Sequence, residues 1–278
     1  MLKIGNINKL KVNRKTDIGY VLDAPEGEVF LHNNESLHMD LKPFDVVEAF
    51  LYFDHKGRLA ATLKQPYVTT DTQSFLVVKD INPSLGAFLD MGINKDLLLS
   101  KDDLPLDTTK WPQPGDKVLV TIKVKNRLVA SIVPKTEIKL VPERELQVKD
   151  QVTAYVQKIG REGLNLYTPD GHFIFVHHTM YKDNYRIGQE VVVKITYDSD
   201  KGYSGSLIKQ KEQAIQSDAE VILEYLKKHK EMPLDADSTP EKIYDYFKMS
   251  KKAFKRAIGN LYKNRNIEFK EGKTFLIK

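Results

Sequence analysis

The chain has 278 residues, 41% of them hydrophobic and 29% charged, with a net charge of +5. That balance fits a globular protein with room for several small cores, and no apolar run approaches the ~18–20 residues that a bilayer crossing needs. With no cysteine at all, disulfides, thiolate nucleophiles and cysteine-ligated zinc are excluded.

The opening Met1-Leu2-Lys3-Ile4-Gly5 holds no signal-peptide apolar block, so the expected location is the cytoplasm. Strands are expected over 17–22, 28–32, 46–53 and 60–64. These runs are β-branched or aromatic and are divided by turn formers such as Asp23-Ala24-Pro25-Glu26-Gly27. The same order returns over 85–90, 97–99, 117–124 and 129–133, and again over 163–167, 173–177, 191–197 and 205–209. Asp45, Asp116 and Gln189, each opening the long third run of its set, stand 71 and 73 residues apart; Thr62, Ser131 and Ser206 stand 69 and 75 apart. A period near 70 is too long for a solenoid repeat and suits a small closed barrel of five short strands. Pro66 and Pro142 punctuate the joins, which are too short to act as floppy linkers. Three copies of one barrel favour repeated use of one binding surface over a single catalytic pocket.

After residue 210 the period becomes helical. Ser217-Asp218-Ala219-Glu220 reads as a capping box opening a helix with Val221, Ile222, Tyr225 and Leu226 on one face. Thr239-Pro240 starts a second helix carrying Ile243, Tyr244 and Phe247. Ser250 caps a third, whose apolar side is Phe254, Ala257, Ile258, Leu261 and Tyr262. Residues 267–270 and 273–277 then form a hairpin about Glu271-Gly272. Three helices closed by a hairpin make a winged helix. Residues 248–278 hold ten basic side chains against two acidic ones, whereas the three repeats are nearly neutral. Lys251, Lys252, Lys255, Arg256 and Lys263 on the third helix, with Lys270 and Lys273 on the wing, have the layout of a phosphate-contacting surface. A solvated helix face, or a winged helix that docks protein, would show the same pattern.

Gly86-Ala87-Phe88-Leu89-Asp90, Asp96-Leu97-Leu98-Leu99, Pro114-Gly115-Asp116-Lys117-Val118 and Ala130-Ser131-Ile132 together resemble the RNA-binding domain of ribosomal protein S1. Three such repeats followed by a winged helix are similar, over essentially the whole chain, to the conserved virulence factor B family of bacterial regulators. The resemblance implies a multidomain, mainly β protein: three tandem S1-like OB-fold β-barrels over 1–65, 66–141 and 142–210, then an α+β winged-helix domain over 211–278. It also implies base contacts at an aromatic of the Gly-Ala-Phe segment, at a histidine after the next strand and at a basic residue near the last turn. Phe88 matches the first of these, with Val21 and Asn165 in its place in the other repeats. His32 and His177 match the second, with nothing equivalent near Leu99-Ser100. Arg58 and Arg127 match the third, with Tyr203 in the last repeat.

The expected partner is therefore single-stranded RNA, whose exposed bases stack on aromatic rings for about 1–3 kcal/mol each. Tyr20, Phe30, Tyr52, Phe53, Tyr155, Tyr167 and Phe175 read as core or half-buried strand residues, and His32 and His177 serve equally as RNA contacts or as structural groups. No catalytic constellation, cofactor motif, small-molecule site or membrane segment emerges. Asp102-Asp103 reads as a solvated turn. No metal is expected at His177-His178, since adjacent strand residues point to opposite faces. Alternatives are a DNA-binding transcription regulator that reads through the winged helix, and a ribosome-associated or protein-docking scaffold.

Overall fold

A computed structural model describes residues 2–200, 202–208 and 211–277, with 211–217 as backbone. The chain divides into two compact units, Met1–Leu207 and Ile208–Lys278. The first unit is built from three closed five-stranded barrels. Barrel one comprises β1 (Ile7–Thr16), β2 (Gly19–Ala24), β3 (Gly27–His32), β4 (Val46–Phe53) and β5 (Leu59–Thr62). Barrel two comprises β6 (Ser74–Asn82), β7 (Gly86–Leu89), β8 (Leu97–Ser100), β9 (Lys117–Val124) and β10 (Leu128–Ile132). Barrel three comprises β11 (Gln151–Ile159), β12 (Gly163–Tyr167), β13 (Phe173–His177), β14 (Glu190–Ser199) and β15 (Gly202–Ser206).

Each barrel has the strand order first-second-third-fifth-fourth, with every ladder antiparallel except that between third and fifth strands. Closure leaves no open sheet edge. Alternate residues fill the interiors: Leu22 and Leu31 in the first barrel, Leu89 and Leu99 in the second, Leu166 and Val176 in the third.

The residues that set the sequence period close a turn ahead of each fourth strand. The Asp45 carboxylate accepts from Lys42 N (2.8 Å), that of Asp116 from Gln113 N (2.7 Å), and the Gln189 amide oxygen from Arg186 N (3.1 Å). A second recurrent position is the glycine that opens each second strand. A Cβ on Gly19, Gly86 or Gly163 would fall 2.2, 2.1 or 2.1 Å from the carbonyl oxygen of Leu31, Leu99 or Val176 on the third strand. No residue with a side chain fits there.

The first strand of each barrel is absent from the strands read off the sequence. All three carry a β-bulge at the same place, between Val12 and Arg14, Val78 and Asp80, and Val156 and Lys158. The extra residue breaks the alternation that marks a strand. The last strand of barrel three is Gly202–Ser206, ahead of the expected 205–209; Lys209 lies outside the described residues.

The barrels are joined by structure. Phe50 of the first packs into the core of the second, Thr70 N donates to Gly5 O (2.9 Å), and Asn94 donates to the buried Glu35 carboxylate. Between barrels two and three, Arg186 makes a bidentate pair with the buried Asp116 at 2.7 and 2.9 Å. Gln157, the extra residue of its bulge, accepts from Leu119 N (2.8 Å) and donates to Lys117 O (3.3 Å). Its side-chain amide thus serves β9 as a backbone partner would, where β10 has ended.

The second unit contains α1 (Lys211–His229), β16 (Glu231–Met232), α2 (Pro240–Phe247), α3 (Lys251–Lys263), β17 (Ile267–Lys270) and β18 (Lys273–Leu276), with sheet order β16-β18-β17. Thr239 and Ser250 cap α2 and α3 through their hydroxyls. The two-residue turn Glu271-Gly272 has φ of +50° and +73°, the primed geometry that matches strand twist. Two expectations change. α1 already runs before the Ser217 capping box, whose serine side chain lies outside the described residues. Val221 and Tyr262 are exposed rather than on the apolar faces, and Tyr244 of α2 is exposed as well. The short β16, not expected from the sequence, has too few residues for any period to reveal it. No helix among the described residues is long and apolar enough to cross a membrane.

Replacing Gly86, at φ +130°, by alanine should cost about 2–5 kcal/mol through backbone strain and the carbonyl clash. A lowered urea midpoint for the first unit, with the winged-helix transition unmoved, is the expected reading.

Candidate nucleic-acid interface

Cross-strand partners place one row of side chains on the outer face of each barrel, over the second, third and fifth strands. In barrel one the row is Val21–Phe30–Ala60, in barrel two Phe88–Leu98–Val129, and in barrel three Asn165–Phe175–Ser204. Each row therefore holds one half-buried phenylalanine. Phe88 supplies it from the second strand, whereas Phe30 and Phe175 supply it from the third. The Gly-Ala-Phe match points only to Phe88. The alternation of 28–32 and 173–177 carries the signal for the other two, because Phe30 and Phe175 fall two residues before a histidine on the same face.

The neighbouring row pairs the strand-opening glycines with His32, Ser100 and His177. These three residues occupy one structural position, each capping a 3-10 turn. His32 Nδ1 accepts from Asn34 N (3.1 Å), Ser100 Oγ from Asp102 N (3.3 Å) and His177 Nδ1 from Thr179 N (3.4 Å). A capping role is thus common to all three barrels, and only barrels one and three add a ring. The His32 ring meets Phe30 edge-on at 6.2 Å, and His177 meets Phe175 at 6.4 Å. His177 and His178 do not face opposite ways. His178 begins the 3-10 turn, and the two rings lie 4.1 Å apart. Tyr20, Tyr155 and Tyr167 are buried, while Tyr52, Phe53, Phe30 and Phe175 are half-buried.

The two barrel arginines differ. The Arg58 guanidinium closes on Asp54, at 2.8 Å from Nε and 2.7 Å from its terminal nitrogen. Desolvation works to raise the Asp54 pKa, but N–H groups of Arg58 and Lys56 outweigh it and hold the carboxyl down at about 2. Arg127 is exposed in the turn between β9 and β10 and makes no ion pair among the described residues. It acts instead on Lys95, whose pKa burial lowers against the opposing pull of the Asp54 carboxylate, with this neighbouring cation adding a smaller push down.

On the winged helix, Lys252, Arg256 and Lys263 recur at helical spacing along the exposed side of α3, with no salt bridge among the described residues. Gly259 lies on the same stripe, and a Cβ there would meet open space. The other cations are engaged. Lys251 donates to Asp237 O (3.2 Å), Lys255 pairs with Asp237 (3.7 Å), Lys270 with Glu268 (2.8 Å) and Lys273 with Glu231 (3.1 Å). These are solvent-exposed pairs, individually weak and exchangeable for a phosphate. Beside the stripe, Tyr262 stacks on Phe269 of the wing at 5.3 Å, both rings exposed.

Comparison with known proteins supplies the relatives. A family model described as an S1 domain matches residues 4–64, one described as CvfB first S1-like domain matches 74–131, and one described as CvfB-like winged helix domain matches 220–276. "Uncharacterized protein YitL" of Bacillus subtilis is 35% identical over 96% of this chain and 91% of its own length. "Conserved virulence factor B" of Staphylococcus haemolyticus is 32% identical over 99% of this chain and 95% of its own. A crystal structure described as a multidomain protein with nucleic acid binding domains, from Streptococcus pneumoniae, matches 99% of this chain and 98% of its own with a TM-score of 0.64 at 24% identity. That last likeness carries the fold.

Because the folded pKa of Asp54 lies below its ordinary 3.8, the turn it organises is fully held above about pH 4 and lost as pH falls towards 2. Followed by NMR, the Arg58 Nε–H and Lys56 amide signals should move with a midpoint near 2; a midpoint near 3.8 would contradict the contact.

Proposed function

This chain belongs to the conserved virulence factor B family, and from that premise we propose that it is a cytoplasmic regulator that binds single-stranded RNA. The reading rests above all on one observation: every barrel keeps a half-buried phenylalanine on the same cross-strand row, although the strand supplying it changes. A core has no need of rings at that outer position, whereas unpaired bases stack on such rings whatever their sequence. In barrels one and three the capping histidine widens the platform. Arg127 and, once released from Asp54, Arg58 supply charge near the last turn.

The winged helix contributes phosphate contacts through Lys252, Arg256 and Lys263, helped by Lys251, Lys255, Lys270 and Lys273 as their weak pairs exchange. Contact at several linked modules raises affinity beyond what any one provides. Binding of this kind controls gene expression by occupying transcripts, and the relatives' name extends the reading to virulence functions. The protein acts here as a binder, so labelled RNA incubated with it and magnesium or manganese should remain intact.

Gel shifts comparing single-stranded RNA with duplex DNA of equal length test the reading directly. RNA should bind more tightly; the reverse order would favour a DNA reader centred on α3. Replacing His32 and His177 by serine, the residue that barrel two already uses as a cap, should spare the fold and weaken RNA binding by about 1–3 kcal/mol per ring. Charge reversal of Lys252, Arg256 and Lys263 should flatten the salt dependence by about 2 in slope. An unchanged slope would take the winged helix out of the interface.

A further inference from the structure

Barrels two and three enclose a cleft of about 530 Å³ beside the outer row of barrel three. Lys158 is the first-strand partner of Asn165, so that row reads Lys158–Asn165–Phe175–Ser204: cation, amide, aromatic, hydroxyl. Lys158 and Asn165 line the cleft together with Asp103, Ile132, Pro134 and Lys135 of barrel two and with Tyr167. The Asn165 side chain is half-buried and makes no hydrogen bond among the described residues, unlike Gln157 nearby, whose amide is consumed by the joint. Asp103 likewise makes no ion pair among the described residues, and Lys158 is exposed and unpaired among them. Desolvation raises the Tyr167 phenol to about 12, so it remains protonated.

A half-buried amide with no partner among the described residues, sharing a cleft with a carboxylate and apolar side chains, suits a flat ring whose edge both donates and accepts. We propose that this cleft is a nucleobase pocket that selects a base carrying an exocyclic amino group, with Asn165 as the specificity-determining residue and Lys158 holding the adjoining phosphate. The inference rests on the single-stranded RNA reading and deepens it. An amide pairs in two-point fashion with the amino group and ring nitrogen of adenine or cytosine, and it would pair likewise with O4 and N3–H of uracil. Selection comes from pairing beside the Asp103 carboxylate, which accepts from an amino group and repels the carbonyl oxygen that uracil would place there. Barrel two, with Phe88 and Leu98 on its row, and barrel one, with Val21 and Phe30, have no comparable amide and stack without choosing. Asn165, where the stacking aromatic of the motif is missing, is on this view the position at which stacking gives way to selection.

The test titrates the full-length protein with short oligo-A, oligo-C and oligo-U of equal length. Oligo-A and oligo-C should bind about 10-fold more tightly than oligo-U. Asn165→Ala should bring the three within about 3-fold of one another, leaving oligo-U affinity within 2-fold of its starting value, and Asn165→Gln should restore part of the preference. Phe175→Ala, in contrast, should weaken all three alike. In a 15N spectrum the Asn165 side-chain amide should shift with oligo-A and stay in place with oligo-U. Equal binding of the three RNAs by the unaltered protein, or an equal loss for all three in Asn165→Ala with the melting temperature unchanged, would overturn the pocket while leaving RNA binding intact. No binding of any single strand would overturn both.

Discussion

The contact between a strand-opening glycine and the carbonyl of the strand beside it recurs in every barrel, and the proposed binding face depends on it. At Gly19, Gly86 and Gly163 the second strand runs so near the third that a Cβ would lie 2.2, 2.1 and 2.1 Å from a carbonyl oxygen of its neighbour. That approach fixes the pairing of the glycine with His32, Ser100 or His177, which in turn fixes the 3-10 turn those residues cap. Two residues further along the second strand, in the register so imposed, lie Val21, Phe88 and Asn165. Any side chain at the glycine would shift this register and scatter the row.

Presentation of the rows is stiffened by the joints. Phe50, Thr70 and Asn94 bind the first barrel to the second, while Asp116–Arg186 and the Gln157 amide bind the second to the third. A ligand that spans neighbouring barrels of this unit meets rings already ordered, so less conformational entropy is lost on binding than with free modules. The winged helix differs. Lys252, Arg256 and Lys263 are exposed and the neighbouring ion pairs are weak, so on the proposed reading its share of binding falls with added salt.

Much of this was legible in the sequence. Most of the strands, the three-fold period and the capping residues of α2 and α3 follow from alternation, spacing and side-chain chemistry. The first strand of each barrel did not, because a bulge shifts the phase of the pattern at Val12, Val78 and Val156. The face itself was half legible. A motif read by position finds Phe88, but an outer row belongs to several strands at once, so its ring can move from the second strand to the third without any trace at the motif. Only pairing register connects Phe88 with Phe30 and Phe175. His32 has a structural role that leaves its ring free to meet a ligand, since one ring nitrogen caps the turn while the ring remains at the surface. Nothing in sequence spacing could show that Asp116 faces Arg186, 70 residues away.

That aspartate has two employers. It closes its own turn through Gln113 N, as Asp45 and Gln189 do in the sister copies, and it alone of the three also receives an arginine from the next barrel. Gln189 shows that glutamine can close such a turn. Duplicated modules ordinarily drift apart because each answers only to its own folding. Here a change of Asp116 to glutamine would keep the turn of the home barrel but remove the carboxylate that pairs with Arg186, so one side chain answers to two barrels at once.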